Sequence, residues 1–138
     1  MNPQAYALLG VTALTAVLVA VIGALVALYA RYYMSPEDPV ARFYASFLAF
    51  MGAMLGIALA DDLILRFLFW EITSITSSLL IGFWYEREAA RAGALTALLV
   101  TAMGGLAMLA GFILIGLATG SFALGEIVAD EARRSALA

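Results

Sequence analysis

The stretch LFWEITSITSS, residues 68–78, places a single acid, Glu71, among apolar and hydroxyl side chains. Carboxylates are costly in hydrocarbon and are seldom kept there without a use. The stretch lies inside an apolar segment, residues 63–84, which has the roughly 20 residues that a helix needs to cross a bilayer. It therefore predicts a transmembrane helix with an acid near its middle.

The rest of the chain has the composition of a membrane protein. Of its 138 residues, 65% are hydrophobic and 12% are charged, whereas a soluble domain averages about 45–50% apolar and about 25% charged residues. The sequence contains no cysteine, histidine or lysine, which excludes disulfides and metal sites built on thiolates or imidazoles. A net charge of −3 without a basic patch argues against nucleic-acid binding.

Four apolar segments reach spanning length. They lie at about residues 5–30, 41–60, 63–84 and 93–118, and a polar tail, residues 119–138, has the composition of a surface segment. The first segment is longer than the apolar core of a signal peptide, about 7–15 residues, and no positive charge precedes it. We therefore predict an all-α membrane protein, with residues 1–138 in one membrane domain.

The arginines predict the orientation of these helices. The two loops on one side carry Arg31, Arg42, Arg87 and Arg91. Cytoplasmic loops are enriched in positive charge, so we expect this side to be cytoplasmic and the N-terminus to lie outside. Arg66, Arg133 and Arg134 lie on the other side and argue against this orientation.

Glu71 is the first candidate for chemistry. Burial in hydrocarbon disfavours the charged form of a carboxyl group, and such an acid can exchange protons near neutral pH. This property suits a proton relay. The alternative is that Glu71 is a neutral acid that only forms a hydrogen bond to a neighbouring helix.

Hydroxyl groups accompany this acid along the helix. Ser74 and Ser78 follow Glu71 by three and seven residues, on the same helix face, and Thr101 lies on the next apolar segment. We expect these three residues to hold water beside the carboxyl group. Membrane helices also use serine and threonine for close packing and for hydrogen bonds to their own backbone, so both interpretations stay open.

A second charged group lies nearer the start of the same helix. Arg66 follows Asp62 by four residues, the spacing of an intrahelical ion pair. A long arginine side chain can extend from the helix toward the membrane surface. We expect an Asp62–Arg66 ion pair at the outer interface, with a structural role.

Several motifs together resemble a known family. They are YARYYM (29–34), RFYASFLAFMGAMLGIALADDL (42–63), FWEITSITSSLLIGFW (69–84) and RAGALTALLVTAMGGLAMLAG (91–111). They resemble the antiporter-like membrane subunits, which include the A and D subunits of Mrp-type multisubunit Na⁺/H⁺ antiporters and the proton-pumping membrane subunits of respiratory complex I. The A subunit is the most similar. The resemblance covers residues 20–135, and it implies helices three to six of a larger helical bundle.

The resemblance assigns Glu71 to the family's essential glutamate on helix five. It also implies a partner lysine on a later helix, and this sequence contains no lysine. Two further differences are Asp62, where the family usually has asparagine, and Arg66, where it usually has an apolar residue. We therefore expect a fragment, a split-gene product or a reduced subunit that needs partners.

The expected function is a proton-translocating segment of a multisubunit monovalent cation (Na⁺)/proton antiporter, not an enzyme, with Glu71 as proton carrier. The transported ions would be H⁺ and Na⁺, without a cofactor. The partners would be other antiporter subunits in the lipid bilayer of a bacterial or archaeal inner membrane.

Two alternatives remain open at this stage. One is a small four-helix exporter that acts as a dimer, although such exporters carry their glutamate in the first helix. The other is a structural subunit or truncated relic that packs by its glycine faces and transports nothing.

Overall fold

The computed structural model describes the backbone of residues 3–137 and the side-chain surroundings of residues 6–131. It contains five helices: α1 (Pro3–Tyr33), α2 (Val40–Leu59), α3 (Leu63–Ile81), α4 (Glu88–Thr119) and α5 (Leu124–Leu137). The first four are long and apolar enough to cross a membrane. This confirms the predicted fold class, an all-α membrane protein with four transmembrane helices, while the orientation of the N-terminus stays a prediction.

The helix bounds differ from the expected ones at several ends. Helices α1 and α4 extend beyond their apolar segments, and α4 begins at the charged Glu88. Transmembrane helices can continue in this way because the polar headgroup region adds thickness beyond the hydrocarbon core. Helix α3 ends earlier than expected, at Ile81, where the amide of Gly82 donates to the carbonyl of Ser78. The polar tail forms α5.

Helix α3 lies between two neighbours. It packs against α2 on one side and α4 on the other, and α1 packs against the far side of α2. Small residues permit these contacts: the Phe69 ring lies where a side chain at Gly56 would be, and Gly82 lies against Ala94. The Tyr44 hydroxyl donates to the Ala27 carbonyl at 2.8 Å and joins α2 to α1. The central position of α3 brings Glu71 into the helix bundle.

Two turns meet at the end of the bundle that carries Asp61 and Asp62, which we call the aspartate end. The amide of Leu63 donates to the Phe122 carbonyl at 2.9 Å, and the amide of Leu124 donates to the Asp61 carbonyl at 2.8 Å. These bonds form a short antiparallel bridge between the α2–α3 turn and the α4–α5 turn. The opposite end, with Arg31, Arg42, Arg87 and Arg91, is the arginine end.

Candidate functional site

Glu71 lies in the middle of α3, as the ninth of its 19 residues. Its side chain is partly buried, and its Oε1 atom is fully buried without a hydrogen-bond partner in the described chain. Buried polar atoms nearly always have a partner, and one without a partner carries a desolvation penalty. Oε1 therefore has hydrogen-bonding capacity that the described residues do not use.

The carboxyl group of Glu71 lies directly against the backbone of α4. Oε1 occupies the space that a Cβ atom would fill at the buried Gly105, and the carboxyl carbon is 3.3 Å from that Cβ position. The Trp70 indole closes the same space, with its Cδ1 atom 3.7 Å from the Cβ position. Glu71 is thus placed at the α3–α4 contact, and not on a lipid-facing surface of α3.

The hydroxyl groups near Glu71 are buried or partly buried, and they are bonded to their own helices. Ser74 is 4% exposed and donates to the Trp70 carbonyl at 3.1 Å. Ser78 donates to the Ile75 carbonyl at 2.7 Å. Thr101, on α4, donates to its own backbone at 2.8 Å. Each hydroxyl proton is donated in a hydrogen bond within its own helix, but each hydroxyl oxygen can still accept a hydrogen bond.

These hydroxyls lie between Glu71 and the arginine end. Helices α3 and α4 are antiparallel, and the contacts of Gly105 with Glu71 and of Ala94 with Gly82 fix their register. Thr101 is therefore one helical turn from Gly105 toward the arginine end. Ser78 lines a cavity of about 290 Å³ between α3 and α4, together with Arg42 and Arg91. Along the helix axes, these hydroxyls therefore lie on the side of Glu71 that faces the arginine end.

Asp62 and Arg66 bind separate partners. Asp62 caps α3, and its Oδ1 accepts from the Leu65 amide at 2.9 Å. Arg66 donates from Nη2 to the Ala60 carbonyl at 2.6 Å, while its Nε is buried without a partner. Each of the two side chains is thus bonded to a backbone group, and the ion pair between them stays a prediction. Asp62 has its partner because the free amides at a helix start attract an acid at the capping position.

Gly105 is a functional candidate that the sequence did not single out. Its pattern indicated only a general packing face of small residues on α4. A Cβ atom added at Gly104 or Gly111 would have no atom within 4 Å, whereas one added at Gly105 would contact the carboxyl group. The available signal was a glycine in a helix interior, which is unfavourable relative to alanine and often has a packing or functional reason. Only the helix register shows which of the two adjacent glycines faces Glu71.

Two family models match this chain. The model described as "NADH:quinone oxidoreductase/Mrp antiporter, TM" matches residues 60–136, which include α3 and α4. The model described as "NADH-Ubiquinone oxidoreductase (complex I), chain 5 N-terminus" matches residues 5–44. Both families were expected from the motifs around Glu71.

Curated relatives agree with these matches. A probable K⁺/H⁺ antiporter A/B subunit of Rhizobium meliloti is 58% identical over 113 residues, which are 82% of this chain and 11% of that protein. The Na⁺/H⁺ antiporter A1 subunit of Staphylococcus haemolyticus is 48% identical over 88% of this chain and 15% of its own length. The Na⁺/H⁺ antiporter A subunit of Bacillus subtilis is 51% identical over 75% of this chain and 13% of its own length.

This chain therefore spans about a seventh or less of the length of these relatives. The level of identity confirms the predicted resemblance to the A subunit of Mrp-type antiporters. With more than half of its residues matched by the family model, the chain belongs to the NADH:quinone oxidoreductase/Mrp antiporter family of transmembrane proteins.

Proposed function

We propose that this chain forms a proton-translocating segment of a multisubunit monovalent cation/proton antiporter, with Glu71 as the proton carrier. The observation that carries the proposal is the buried Oε1 atom without a partner, in the middle of a membrane-spanning helix. An ionisable residue inside the membrane is costly and usually functional. Here the carboxyl group lies against the backbone of another helix, and Oε1 has no donor within the described chain. This oxygen can therefore accept a transferred proton.

The route toward the arginine end passes the hydroxyl groups. We propose that the oxygens of Ser74, Ser78 and Thr101 accept hydrogen bonds from water molecules that link Glu71 to the cavity lined by Arg42 and Arg91. The supporting observation is that Ser74 and Ser78 are buried and Thr101 is partly buried, on the side of Glu71 that faces the arginine end, and that Ser78 lines the cavity. If the arginine end is cytoplasmic, as the positive-inside rule predicts, this route is the cytoplasmic half of the proton path.

The cation that modulates Glu71 comes from outside this chain in our proposal. A nearby positive charge favours the ionised form of a carboxyl group, and its withdrawal favours proton uptake. The sequence has no lysine, and Arg66 is engaged with the Ala60 carbonyl. Another part of the antiporter complex in the cell membrane would therefore supply that charge.

The exchanged cation is Na⁺ or K⁺. Among the relatives, the A1 subunit of Staphylococcus haemolyticus is named for Na⁺/H⁺ exchange and the Rhizobium meliloti protein for K⁺/H⁺ exchange. Neither alternative function receives comparable support. The similar proteins are antiporter subunits, and the acid lies on the third helix, unlike the glutamate of small four-helix exporters.

The test measures cation-driven proton movement in inverted membrane vesicles that contain the assembled complex with this chain, from a host without its own antiporters. A pH-sensitive dye reports the response to added NaCl or KCl. Glu71→Gln keeps the size and polarity of the side chain but cannot carry a proton, so we expect no exchange above vesicles without the complex. Glu86→Gln, in the exposed turn after α3, removes a carboxylate outside the site and serves as the control.

Both variants are first checked for assembly by co-purification of the complex. Exchange by Glu71→Gln at the rate of Glu86→Gln would overturn the proposed role of Glu71.

A further inference from the structure

We propose that Gly105 is a positioning residue for Glu71: the bare backbone of α4 at this point determines where the carboxyl group lies. The inference rests on the proposed role of Glu71 as proton carrier. It concerns a different helix, and it follows from a contact that the helix register creates.

The contact leaves no room for a side chain. A Cβ atom at position 105 would overlap Oε1 of Glu71 and lie 3.3 Å from its carboxyl carbon. The Trp70 indole borders the same space at 3.7 Å. Any side chain at Gly105 must therefore move the carboxyl group away from α4.

Other glycines of α4 do not share this property. The neighbouring Gly104 is exposed, and a Cβ atom there would have no atom within 4 Å. A Cβ atom at Gly111 would also have no atom within 4 Å. At Gly116 a Cβ atom would meet the Phe122 ring, near the end of the helix and away from the acid. Among the glycines of α4, Gly105 is the one in contact with a carboxyl group.

Helix propensity provides no reason for glycine at this position. Glycine in a helix interior is less favourable than alanine because it loses more conformational freedom on folding. Alanine at position 104 or at position 105 should favour the helix to the same extent. A difference between the two variants then reports the contact with Glu71 and not the stability of α4.

The bare backbone has a direct consequence for proton transfer. It lets the carboxyl group approach α4 at the level of the α3–α4 contact, one turn from Thr101. Proton transfer requires a donor and an acceptor about 3 Å apart. Displacement of the carboxyl group would therefore lengthen its distance to the water molecules proposed to exchange protons with it. Gly105 acts through the position of Glu71 and does not itself carry a proton.

The experiment compares Gly105→Ala with Gly104→Ala in the assembled complex, using the vesicle assay described above. A misplacement of about 1 Å can slow a reaction by about a hundredfold. We expect exchange by Gly105→Ala to fall at least about tenfold, and exchange by Gly104→Ala to stay within about twofold of the parent, as for a substitution without contacts.

A double variant tests the coupling between the two residues. Aspartate is shorter by one methylene, so Glu71→Asp withdraws the carboxyl group from the added methyl group. The Gly105→Ala substitution should therefore reduce exchange less in the Glu71→Asp background than in the parent. Such non-additivity is the signature of residues in direct contact.

A second readout does not depend on transport. A hydrophobic carbodiimide modifies carboxyl groups in apolar surroundings, and mass spectrometry of the peptide that contains Glu71 measures the rate. Displacement from the α3–α4 contact exposes the buried oxygen, so Gly105→Ala should be modified faster than Gly104→Ala.

Equal exchange and equal modification rates in the two alanine variants would overturn the positioning role and leave the proposed function intact, provided that Glu71→Gln is inactive. A loss of exchange in Gly105→Ala with unchanged modification and purely additive effects would also overturn it. Activity in Glu71→Gln would remove the proposed function, and the positioning role with it.

Discussion

The exposed acids at the aspartate end and the partly buried acid at the centre of α3 differ in their hydrogen bonding. At the aspartate end, Asp62 accepts from the Leu65 amide at 2.9 Å and Asp61 accepts from the Gly125 amide at 2.9 Å. In the middle of α3, Oε1 of Glu71 has no partner in the described chain. The two regions are only about two and a half helical turns apart along α3.

Backbone geometry explains the difference. The first amides of a helix have no partner within the helix, so an acid at a helix start finds donors nearby. In the interior of α3 each amide already donates to a carbonyl four residues before it. Glu71 cannot be satisfied by its own helix, and the neighbouring α4 presents a glycine at this level. An acid in this position needs a donor from elsewhere, which is consistent with a group that exchanges protons.

The largest expected effect separates activity from stability at Glu71. Glu71→Met replaces the acid by an apolar side chain of similar length. We expect exchange to fall to the level of vesicles without the complex, because no group carries the proton. The complex should unfold at about the same temperature, since the substitution breaks no hydrogen bond of Oε1 within the described chain. Transport assays and thermal unfolding of the purified complex measure the two effects.

A marked loss of thermal stability in Glu71→Met would contradict this comparison. It would assign Glu71 a structural hydrogen bond, as in the alternative that the sequence left open. Glu71→Gln supports the distinction because it keeps a polar side chain of the same size and removes the group that ionises.

An intermediate effect is expected for Glu71→Asp. The carboxyl group remains, but it lies one methylene closer to the α3 backbone and farther from Gly105. Exchange should be partly retained, above Glu71→Gln and below the parent, when initial rates are compared at equal amounts of complex in the vesicles. Full activity would mean that the position of the carboxyl group does not matter. It would also argue against the positioning role of Gly105.

The next effect concerns the cap of α3. Asp62→Ala removes the acceptor for the Leu65 amide, and loss of such a cap typically destabilises by about 1 kcal/mol. Asp62→Asn should be nearly neutral, because asparagine caps helices about as well as aspartate. The same capping bond would suit the asparagine that the resemblance implies at this position.

Thermal unfolding of the complex with each Asp62 variant measures the difference, and transport should be unchanged in both. A large loss of stability in Asp62→Asn would show that the charge matters more than the capping bond. An ion pair of the kind predicted between Asp62 and Arg66 would then be supported.

The sequence predicted the four apolar helices and the depth of Glu71, because hydropathy and segment length are enough to define a spanning helix. It did not predict the register between α3 and α4, which depends on how side chains fit between two helices. Gly105 was therefore not separated from Gly104. Helical spacing alone also did not predict that Asp62 accepts from the Leu65 amide, since it ignores the free amides at the helix start.

The role of Asp61 was also beyond the sequence, since its partner Gly125 is 64 positions away. Nothing in a local pattern predicts a contact between two separate turns. The structure shows that the adjacent acids Asp61 and Asp62 bind two different helix starts, those of α5 and α3.

The smallest expected effect tests this contact. Asp61→Ala removes the bond to the Gly125 amide, but the backbone bonds between Leu63 and Phe122 and between Leu124 and residue 61 remain. A single hydrogen bond contributes about 0.5–1.5 kcal/mol, so the loss should be local. We expect faster amide hydrogen exchange in residues 124–131 and unchanged exchange in α3. Asp61→Asn keeps an acceptor oxygen and serves as the control. Faster exchange throughout α3 in Asp61→Ala would mean that this side chain stabilises both turns. The stability of the centre of α3, around Glu71, would then depend on the aspartate end, and the two regions could not be treated as independent.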